Sequence, residues 1–234
     1  MALRFGPAGI CNSATDRSSL GGVIRVAELG LDAMELEFVH GCRMSVEKAR
    51  EIRRAAKEKN VSLSCHASYY LNLLSPEKPK LENTRRELRT TALVLSAAGG
   101  GRLVFHPGFF LKKSPEQAFT EMKNEVRDLM KYCADNAPGV IIAPEVTGKH
   151  SAWGSTQETL RLAAELDPSL EALNPCIDVS HVQARRENAL ATQEQVNSLF
   201  VEIERVLGKK ALKTIHFHAQ DVEFTEKGER NHLP

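Results

Sequence analysis

The stretch NPCIDVSH at residues 174–181 is an apolar run that carries an acid at Asp178 and an imidazole three residues later, at His181. A run of this kind is typical of a buried strand, and the two polar side chains stand at its C-terminal end. An aspartate there can cap the next helix, and a lone histidine is usually satisfied by a neighbouring backbone carbonyl. The pattern therefore indicates a functional site only if other strands end in the same way.

Strand-like runs recur along the whole chain, separated by longer stretches with helical periodicity. The seven runs are LRFGPAGIC (3–11), AMELEFVH (33–40), VSLSCHAS (61–68), RLVFHPG (102–108), VIIAPEV (140–146), NPCIDVSH (174–181) and LKTIHFHA (212–219). Capping boxes that begin at Ser114, Ser155 and Thr192 predict the starts of three helices. Strands that alternate with helices favour an α/β fold with a parallel sheet.

About eight such units close into a TIM (β/α)8-type barrel, whose active site lies at the C-terminal ends of the strands. An open, doubly wound sheet is the competing fold. We favour the barrel because GPAGIC, at the first strand, is not the G-x-G-x-x-G turn of a dinucleotide-binding sheet.

The end of the chain predicts an incomplete barrel. Nothing after LKTIHFHA (212–219) reads as a further strand, so we expect a single TIM-barrel domain over residues 1–234 from which the eighth βα unit is missing. The first and seventh strands would then have unpaired edges. We expect either a fragment of a longer protein or a gap that another chain covers.

Composition excludes several classes of protein. The 234 residues are 42% hydrophobic, but no stretch reaches the roughly 18 apolar residues of a membrane span, and the N-terminus lacks a signal-peptide pattern. We therefore predict a cytoplasmic protein without membrane contact. Five scattered cysteines without a C-x-x-C pair indicate small core residues, not disulfides or a thiolate zinc site. A net charge of +1 gives no overall attraction to nucleic acid.

Imidazole and carboxylate side chains end five consecutive strand candidates. They are His66, His106, Glu145, Asp178 with His181, and His216 with His218. In a barrel these ends converge on one mouth. Histidine and carboxylate without thiolate form the ligand set of catalytic zinc, manganese or iron. Because four protein ligands saturate a tetrahedral zinc ion, the larger set predicts at least two ions.

Six segments together carry a resemblance to a known family. In chain order they are CHASYYLNL (65–73), FHPG (105–108), Glu145 with its following loop to Gly154, CIDVSH (176–181), IHFH (215–218) and GERNH (228–232). This combination resembles endonuclease IV, the barrel-shaped, three-zinc apurinic/apyrimidinic endonuclease, along essentially the whole chain. The resemblance implies a metal-dependent hydrolase that cuts the phosphodiester 5′ to abasic sites in double-stranded DNA, in base excision repair.

The resemblance also implies roles for individual residues. Glu145 would be the catalytic carboxylate that bridges two ions, and the metal ligands would be His66, His106, Glu145, Asp178, His181, His216, Glu229 and His232. Tyr69 and Tyr70 occupy the positions from which the family wedges side chains into the DNA stack. Apart from the resemblance, basic residues near the strand-end side are candidate contacts to DNA phosphates, and solvated surface charge is the alternative interpretation: Arg43, Lys112, Lys113, Arg185 and Arg186. The implied cofactor is zinc, in two to three ions, with manganese as the alternative.

The last part of the chain departs from the family pattern. The family has aspartate, a basic residue and a histidine ligand, whereas this chain has Glu229-Arg230-Asn231-His232, and the third metal site depends on whether His232 replaces that ligand. His218 points to the same strand face as His216 and either substitutes for the missing ligand or orients another ligand. The family's final glutamate ligand belongs to the eighth strand.

Two other interpretations remain open. A sugar isomerase or epimerase of the xylose-isomerase-like barrels would hold one divalent ion with Glu145, Asp178 and a histidine of the seventh strand. A catalytically degenerate relative would bind metal or DNA without turnover. We favour the nuclease because a one-ion site has less use for His66 and His181.

Overall fold

The computed structural model describes residues 3–185 and 190–233, which form an alternating α/β chain. The helices are α1 (Ser19–Glu28), α2 (Val46–Lys59), α3 (Lys78–Ala98), α4 (Pro115–Asn136), α5 (Thr156–Leu166), α6 (Val179–Arg185), α7 (Gln193–Leu207) and α8 (Ala211–Thr214). The strands are β1 (Ala33–Glu37), β2 (Ser62–His66), β3 (Arg102–Phe105), β4 (Gly108–Phe109), β5 (Ile141–Pro144), β6 (Ala152–Trp153), β7 (Cys176–Asp178), β8 (His216–His218), β9 (Asp221–Thr225) and β10 (Gly228–Leu233). Within these ranges, every helix is too short or too polar to span a membrane.

The three predicted capping boxes are confirmed. The hydroxyl groups of Ser155 and Thr192 each accept a hydrogen bond from the backbone N–H three residues later, and the side chain at that position returns a bond to the cap residue. Ser114 and Gln117 exchange the same two bonds, at 3.1 and 3.3 Å. Each box satisfies N–H groups that the first helical turn leaves without an intrahelical acceptor.

The chain divides into two compact units, of which the first comprises Met1–Tyr70, Arg85–Phe105 and Leu129–Ile141. Its strands β1, β2 and β3 run parallel, as predicted, and the register pairs Glu37 with His66 and His66 with Val104. Each of these strands buries consecutive residues, for example Met34 to Leu36 in β1 and Leu103 to Phe105 in β3. His66 is consequently the last residue of a strand that has a partner on each side.

The prediction of a regular first strand over residues 3–11 is wrong. It pairs with β1 through a single parallel bridge, between Ala8 and Glu35. The carbonyl of Pro7 accepts a bond from the N–H of Glu35, and Gly9 returns one to the Glu35 carbonyl, both within 3.0 Å. Pro7 has no N–H of its own, so it cannot donate to a ladder, and the segment stays extended without forming a longer strand.

The second unit comprises Leu71–Thr84, His106–Asp128 and Ile142–Pro234, and it contains three parallel segments side by side. Bridges join β5 and its next residue to the chain around β7, pairing Ile142 with Leu173 and Glu145 with Cys176. Strands β7 and β8 pair in register, with Cys176 opposite His216. The C-terminal ends of these segments therefore lie next to one another.

The prediction that no strand follows residue 219 is wrong. Strands β9 and β10 form an antiparallel hairpin with a register shift between Glu229 and Asn231. The hairpin turn ends at Gly228, whose φ of 93° favours glycine. In β9, Val222 and Phe224 alternate with polar residues, which is a strand signal that the prediction missed, whereas β10 is polar up to Leu233. A second short antiparallel pair, β4 with β6, is also absent from the sequence-based prediction.

Candidate metal centre

Glu145 lies at the centre of the polar cluster in the second unit. It directly follows β5, and 1% of its side chain is exposed. One carboxylate oxygen, Oε2, lies 2.8 Å from His106 Nε2, and the other, Oε1, lies 2.6 Å from His218 Nδ1. Burying a carboxylate is costly unless hydrogen bonds or cations compensate for lost hydration. The two imidazoles provide that compensation from two different directions.

Asp178 ends β7 and caps the helix that follows. Its Oδ1 accepts a hydrogen bond of 2.9 Å from the backbone N–H of His181, which places His181 in the first turn of α6. The predicted strand over residues 174–181 is thus too long at its C-terminal end, because this cap starts a helix at Val179. The imidazole of His181 remains in the cluster, with Nδ1 3.5 Å from Asp178 Oδ2.

The orientation of His181 is set by the backbone next to Glu145. Its Nδ1 lies 2.7 Å from the carbonyl oxygen of Val146, and its side chain is 1% exposed. A ring nitrogen that donates to a carbonyl leaves the other nitrogen, here Nε2, as the one with a lone pair. Nε2 lies 3.4 Å from Glu229 Oε2. The arrangement thus joins α6 to β10 through an imidazole and a carboxylate.

Gly148 permits this close approach. A Cβ atom at this position would lie 2.6 Å from the Cβ of Glu229 and 3.0 Å from Cδ2 of His181. The Gly148 carbonyl also accepts a bond of 3.0 Å from the N–H of Glu229. A larger residue here would push the hairpin away from α6.

Strand β8 presents both of its histidines on one face. His216 and His218 are two residues apart, so their side chains leave the same side of the strand, and the ring centroids lie 5.2 Å apart. Phe217 points to the other side, where its ring lies 5.6 Å from that of Phe200. The contact with Glu145 is made by His218, the histidine that sequence reasoning left outside the ligand set.

Donor atoms in this unit are close enough to share metal ions. Glu145, Asp178 and His218 each offer one ligand atom within 4.8 Å of the others, and so do Cys176, His216 and His218. Carboxylate and imidazole donors fit a borderline divalent ion such as zinc, and the residues present therefore suit the predicted cofactor. Sequence reasoning assigned Cys176 to the core. Its position two residues before Asp178, on the same strand face, is the signal that could have identified it.

The predicted site residues of the first unit are His66 at the end of β2, Tyr69 and Tyr70 just after it, and Arg43. His66 is buried, its Nδ1 lies 2.7 Å from the Ala67 carbonyl oxygen, and its ring lies 5.0 Å from that of Tyr69. Tyr70 is 76% exposed and stacks on His40 at 6.1 Å. Arg43 is exposed.

The predicted phosphate contacts of the second unit differ from one another. Lys112 is exposed, whereas Lys113 is paired with Glu121 at 2.8 Å. Arg186 lies outside the described residues. So does the side chain of His232, a predicted metal ligand whose backbone belongs to β10. Lys112, Lys113 and Arg186 stay predicted phosphate contacts, and His232 stays a predicted metal ligand.

Arg185, the fifth predicted phosphate contact, is turned toward the protein. Its guanidinium donates to the carbonyl oxygens of Thr147, Lys149 and Ala152 at 2.8–3.2 Å, and to the Thr147 hydroxyl at 3.1 Å. This side chain ties the end of α6 to the loop that follows Glu145. Sequence reasoning did not predict this structural role.

The fold and this cluster together define an α/β protein with a candidate divalent-metal centre, formed by buried carboxylate and imidazole groups at the ends of adjacent parallel strands. A family model described as xylose isomerase-like TIM barrel matches residues 23–234, and the chain belongs to this family. The predicted TIM-barrel fold class is therefore confirmed.

Sequence relatives include one protein of unassigned role and two endonucleases. An uncharacterized protein of Methanocaldococcus jannaschii is 37% identical over 232 residues, which are 99% of this chain and 81% of that protein. A probable endonuclease 4 of Chlorobium phaeobacteroides is 29% identical over 166 residues, or 71% and 57% of the two chains. An endonuclease 4 homolog of Dictyostelium discoideum is 27% identical over 179 residues, or 75% and 32%. The match spans less than two thirds of each endonuclease.

Solved structures with the same fold belong to two kinds of enzyme. Endonuclease IV from Thermus thermophilus has a TM-score of 0.68 at 19% identity, over 89% of this chain and 74% of that one. D-psicose 3-epimerase with D-tagatose from Clostridium cellulolyticum has a TM-score of 0.66 at 15% identity, over 95% and 86%. At these identities the likeness shows the fold alone. Endonuclease IV and sugar epimerases therefore share this fold.

Proposed function

We propose that this protein is a metal-dependent endonuclease that hydrolyses the phosphodiester 5′ to abasic sites in double-stranded DNA, as a cytoplasmic enzyme of base excision repair. The observation that carries the proposal is the number of donors around Glu145. His106, His218 and His181 have ring nitrogens within 4.0 Å of its carboxylate, and Asp178 and Glu229 flank His181. Four protein ligands saturate a zinc ion, so this set suits at least two. The 29% identity to a probable endonuclease 4 supports the same choice.

The residues have separable tasks in this proposal. Two to three zinc ions, or manganese in their place, would stabilise the charge that develops on the phosphodiester oxygens. Glu145 would bridge two ions, since its two oxygens face different imidazoles. The Val146 carbonyl orients His181 as a ligand. Burial of Glu145, Asp178 and His181 keeps bulk water from weakening these interactions. His66, His216 and His232 stay predicted metal ligands on the strength of the resemblance.

The proposed DNA contacts are exposed residues that could meet a duplex. Tyr69 and Tyr70 are 44% and 76% exposed, which is unusual for large aromatic side chains and suits a wedge between bases. A site that already lacks its base costs less to open, so the wedge would favour abasic DNA. Arg43 and Lys112 would contact phosphates, which position the duplex without reading its sequence.

Replacing Tyr69 and Tyr70 by alanine should weaken the preference for abasic over intact duplex. Each lost stacking contact should reduce the discrimination by about 1–3 kcal/mol. Paired dissociation constants for the two duplexes, measured at fixed salt, give this quantity. The Tyr70→Phe variant keeps the ring and serves as the control. An affinity ratio that is the same before and after both alanine substitutions would contradict a wedge.

Metal content and nicking test the proposed function directly. Metal-replete protein should contain at least about two transition-metal ions per chain. It should cut a duplex with a single abasic site on its 5′ side and leave the matched intact duplex uncut. Metal binding without cleavage of any duplex would instead favour a degenerate relative.

A sugar epimerase is the second candidate, favoured by one observation. Glu145, Asp178 and His218 alone form a three-donor group that could hold one divalent ion. The epimerase therefore requires one ion and turnover of a ketose. Elemental analysis that finds one ion or fewer, together with epimerisation of a ketohexose, would replace the nuclease proposal.

A further inference from the structure

We propose that Cys176, His216 and His218 form a separate metal site, the thiolate site, which selects zinc or another ion with affinity for sulfur. The proposal concerns metal binding and goes beyond the proposed function. It assigns Nε2 of His218 to the thiolate site, so that toward the cluster around Glu145 this histidine acts as a hydrogen-bond donor through Nδ1. It assigns a ligand role to a cysteine and explains why β8 carries two histidines on one face.

The backbone register brings the three side chains together. Cys176 of β7 is the in-register partner of His216 of β8, and Asp178 is the partner of His218. Side chains two residues apart share a strand face, so all four point to the same side. The Cys176 and His216 pair lies roughly 7 Å further back along the strands than the Asp178 and His218 pair. The thiolate site is thus a second layer below the strand ends.

The donor atoms are within reach of one ion. One ligand atom from each of the three residues lies within 4.8 Å of the other two. Ligands of a tetrahedral zinc, at bond lengths of roughly 2.0–2.3 Å, lie roughly 3.3–3.8 Å from one another. Side-chain shifts of about 1 Å therefore close the set around an ion. Cys176 is completely buried, which protects a thiolate–metal bond from competing water.

Glu145 prepares His218 for this role. Its Oε1 lies 2.6 Å from His218 Nδ1, and a hydrogen bond from that nitrogen to the carboxylate leaves the lone pair on Nε2. Metal-ligating histidines in proteins characteristically donate their other nitrogen to a carboxylate, which fixes the ring and makes it a stronger ligand. Nε2 of His218 is buried, as a ligand to an interior ion must be.

The chemistry of the ligands predicts which ions bind. Thiolate with two imidazoles favours zinc and cobalt(II) over manganese and magnesium, which prefer oxygen. Binding converts the thiol to a thiolate and releases its proton to solvent. Cys133 is the control for Cys176, because it is also a buried cysteine but lies on α4, outside the thiolate site. Burial raises the pKa of the Cys133 thiol to about 11.

Cobalt(II) is the probe for the experiment, since a thiolate ligand gives a sulfur-to-cobalt charge-transfer absorption in the near ultraviolet. The full chain is loaded with cobalt alone, and absorption and cobalt content are measured together. The wild-type protein should show the band. The Cys176→Ser variant should lose the charge-transfer band and contain about one cobalt ion per chain fewer than the wild type. The Cys133→Ser variant should keep the band and the full cobalt content. His216→Ala should also lose the ion. Circular dichroism confirms that each variant is folded.

The outcomes separate this proposal from the proposed function. A cobalt-loaded protein without the charge-transfer band, or a band that survives in Cys176→Ser, would overturn the thiolate site and leave the nuclease proposal intact. A protein that takes up no cobalt would overturn it as well. A band that depends on Cys176 in a protein that never nicks abasic duplex would support the thiolate site while the nuclease proposal fails.

Discussion

Glutamine at position 145 should abolish nicking of abasic duplex, with a rate at least about 100-fold lower, while duplex affinity stays nearly unchanged. The carboxylate of Glu145 faces His106 through one oxygen and His218 through the other. An amide keeps the size of the side chain but removes the negative charge, and one of its ends becomes a donor. It can neither bridge two cations nor accept from both imidazoles.

Single-turnover cleavage, duplex binding and metal content of Glu145→Gln should be measured on the same preparation. Glu171→Gln is the matched control, because it makes the same chemical change at a side chain that is 77% exposed. The control should cleave and bind as the wild type does. Unchanged nicking in Glu145→Gln would remove this residue from the mechanism, and a parallel loss of duplex binding would indicate general misfolding.

The second large effect is expected from Arg185→Ala, which should destabilise the fold by about 3 kcal/mol. The guanidinium donates to the carbonyls of Thr147 and Lys149 and the Thr147 hydroxyl, in the loop after β5, and to the carbonyl of Ala152 at the start of β6. Thr147 and Ala152 are buried. Alanine leaves these acceptors without their charged donor. Because the same loop carries Gly148 against Glu229 and His181, metal affinity should fall as well.

Thermal unfolding of the metal-free protein measures the loss of stability expected for Arg185→Ala. A loss of about 3 kcal/mol lowers the melting temperature of a chain of this size by about 6–12 °C. Arg185→Lys should recover part of it, since lysine can reach fewer carbonyls at once. Arg127→Ala, at an exposed arginine of α4, should leave the melting temperature unchanged. If Arg185→Ala is as stable as the wild type but binds DNA more weakly, the structural role is contradicted and Arg185 is a phosphate contact as first predicted.

The regular part of the fold could be predicted because its signals are local. Six of the seven predicted strands and all three capping boxes are present, since apolar periodicity and cap chemistry depend on neighbouring residues. The strand predictions are wrong where pairing with another segment determines whether a strand forms. Residues 3–11 form a single bridge to β1, because Pro7 cannot donate a backbone hydrogen bond. The β9 and β10 hairpin is held by pairing between the two strands, which the polar sequence of β10 does not predict.

The candidate site shows the same division. Glu145, Asp178, His106 and His181 could be selected from sequence because each polar side chain interrupts or ends an apolar run. Which histidine of β8 faces Glu145 depends on strand register, and the register of β7 with β8 selects His218. A shift by one residue would have turned both histidines away.

The sequence by itself determined the α/β class, the helix starts and the residue types of a metal centre, because these follow from periodicity, capping and the chemistry of imidazole and carboxylate. Only the tertiary structure decided that Cys176 lies beside His216, that Gly148 admits Glu229 to His181, and that Arg185 binds carbonyl groups instead of facing solvent. The physical reason is that each of these contacts joins residues from separate elements. Their distances are set by strand pairing and packing, which no local pattern encodes.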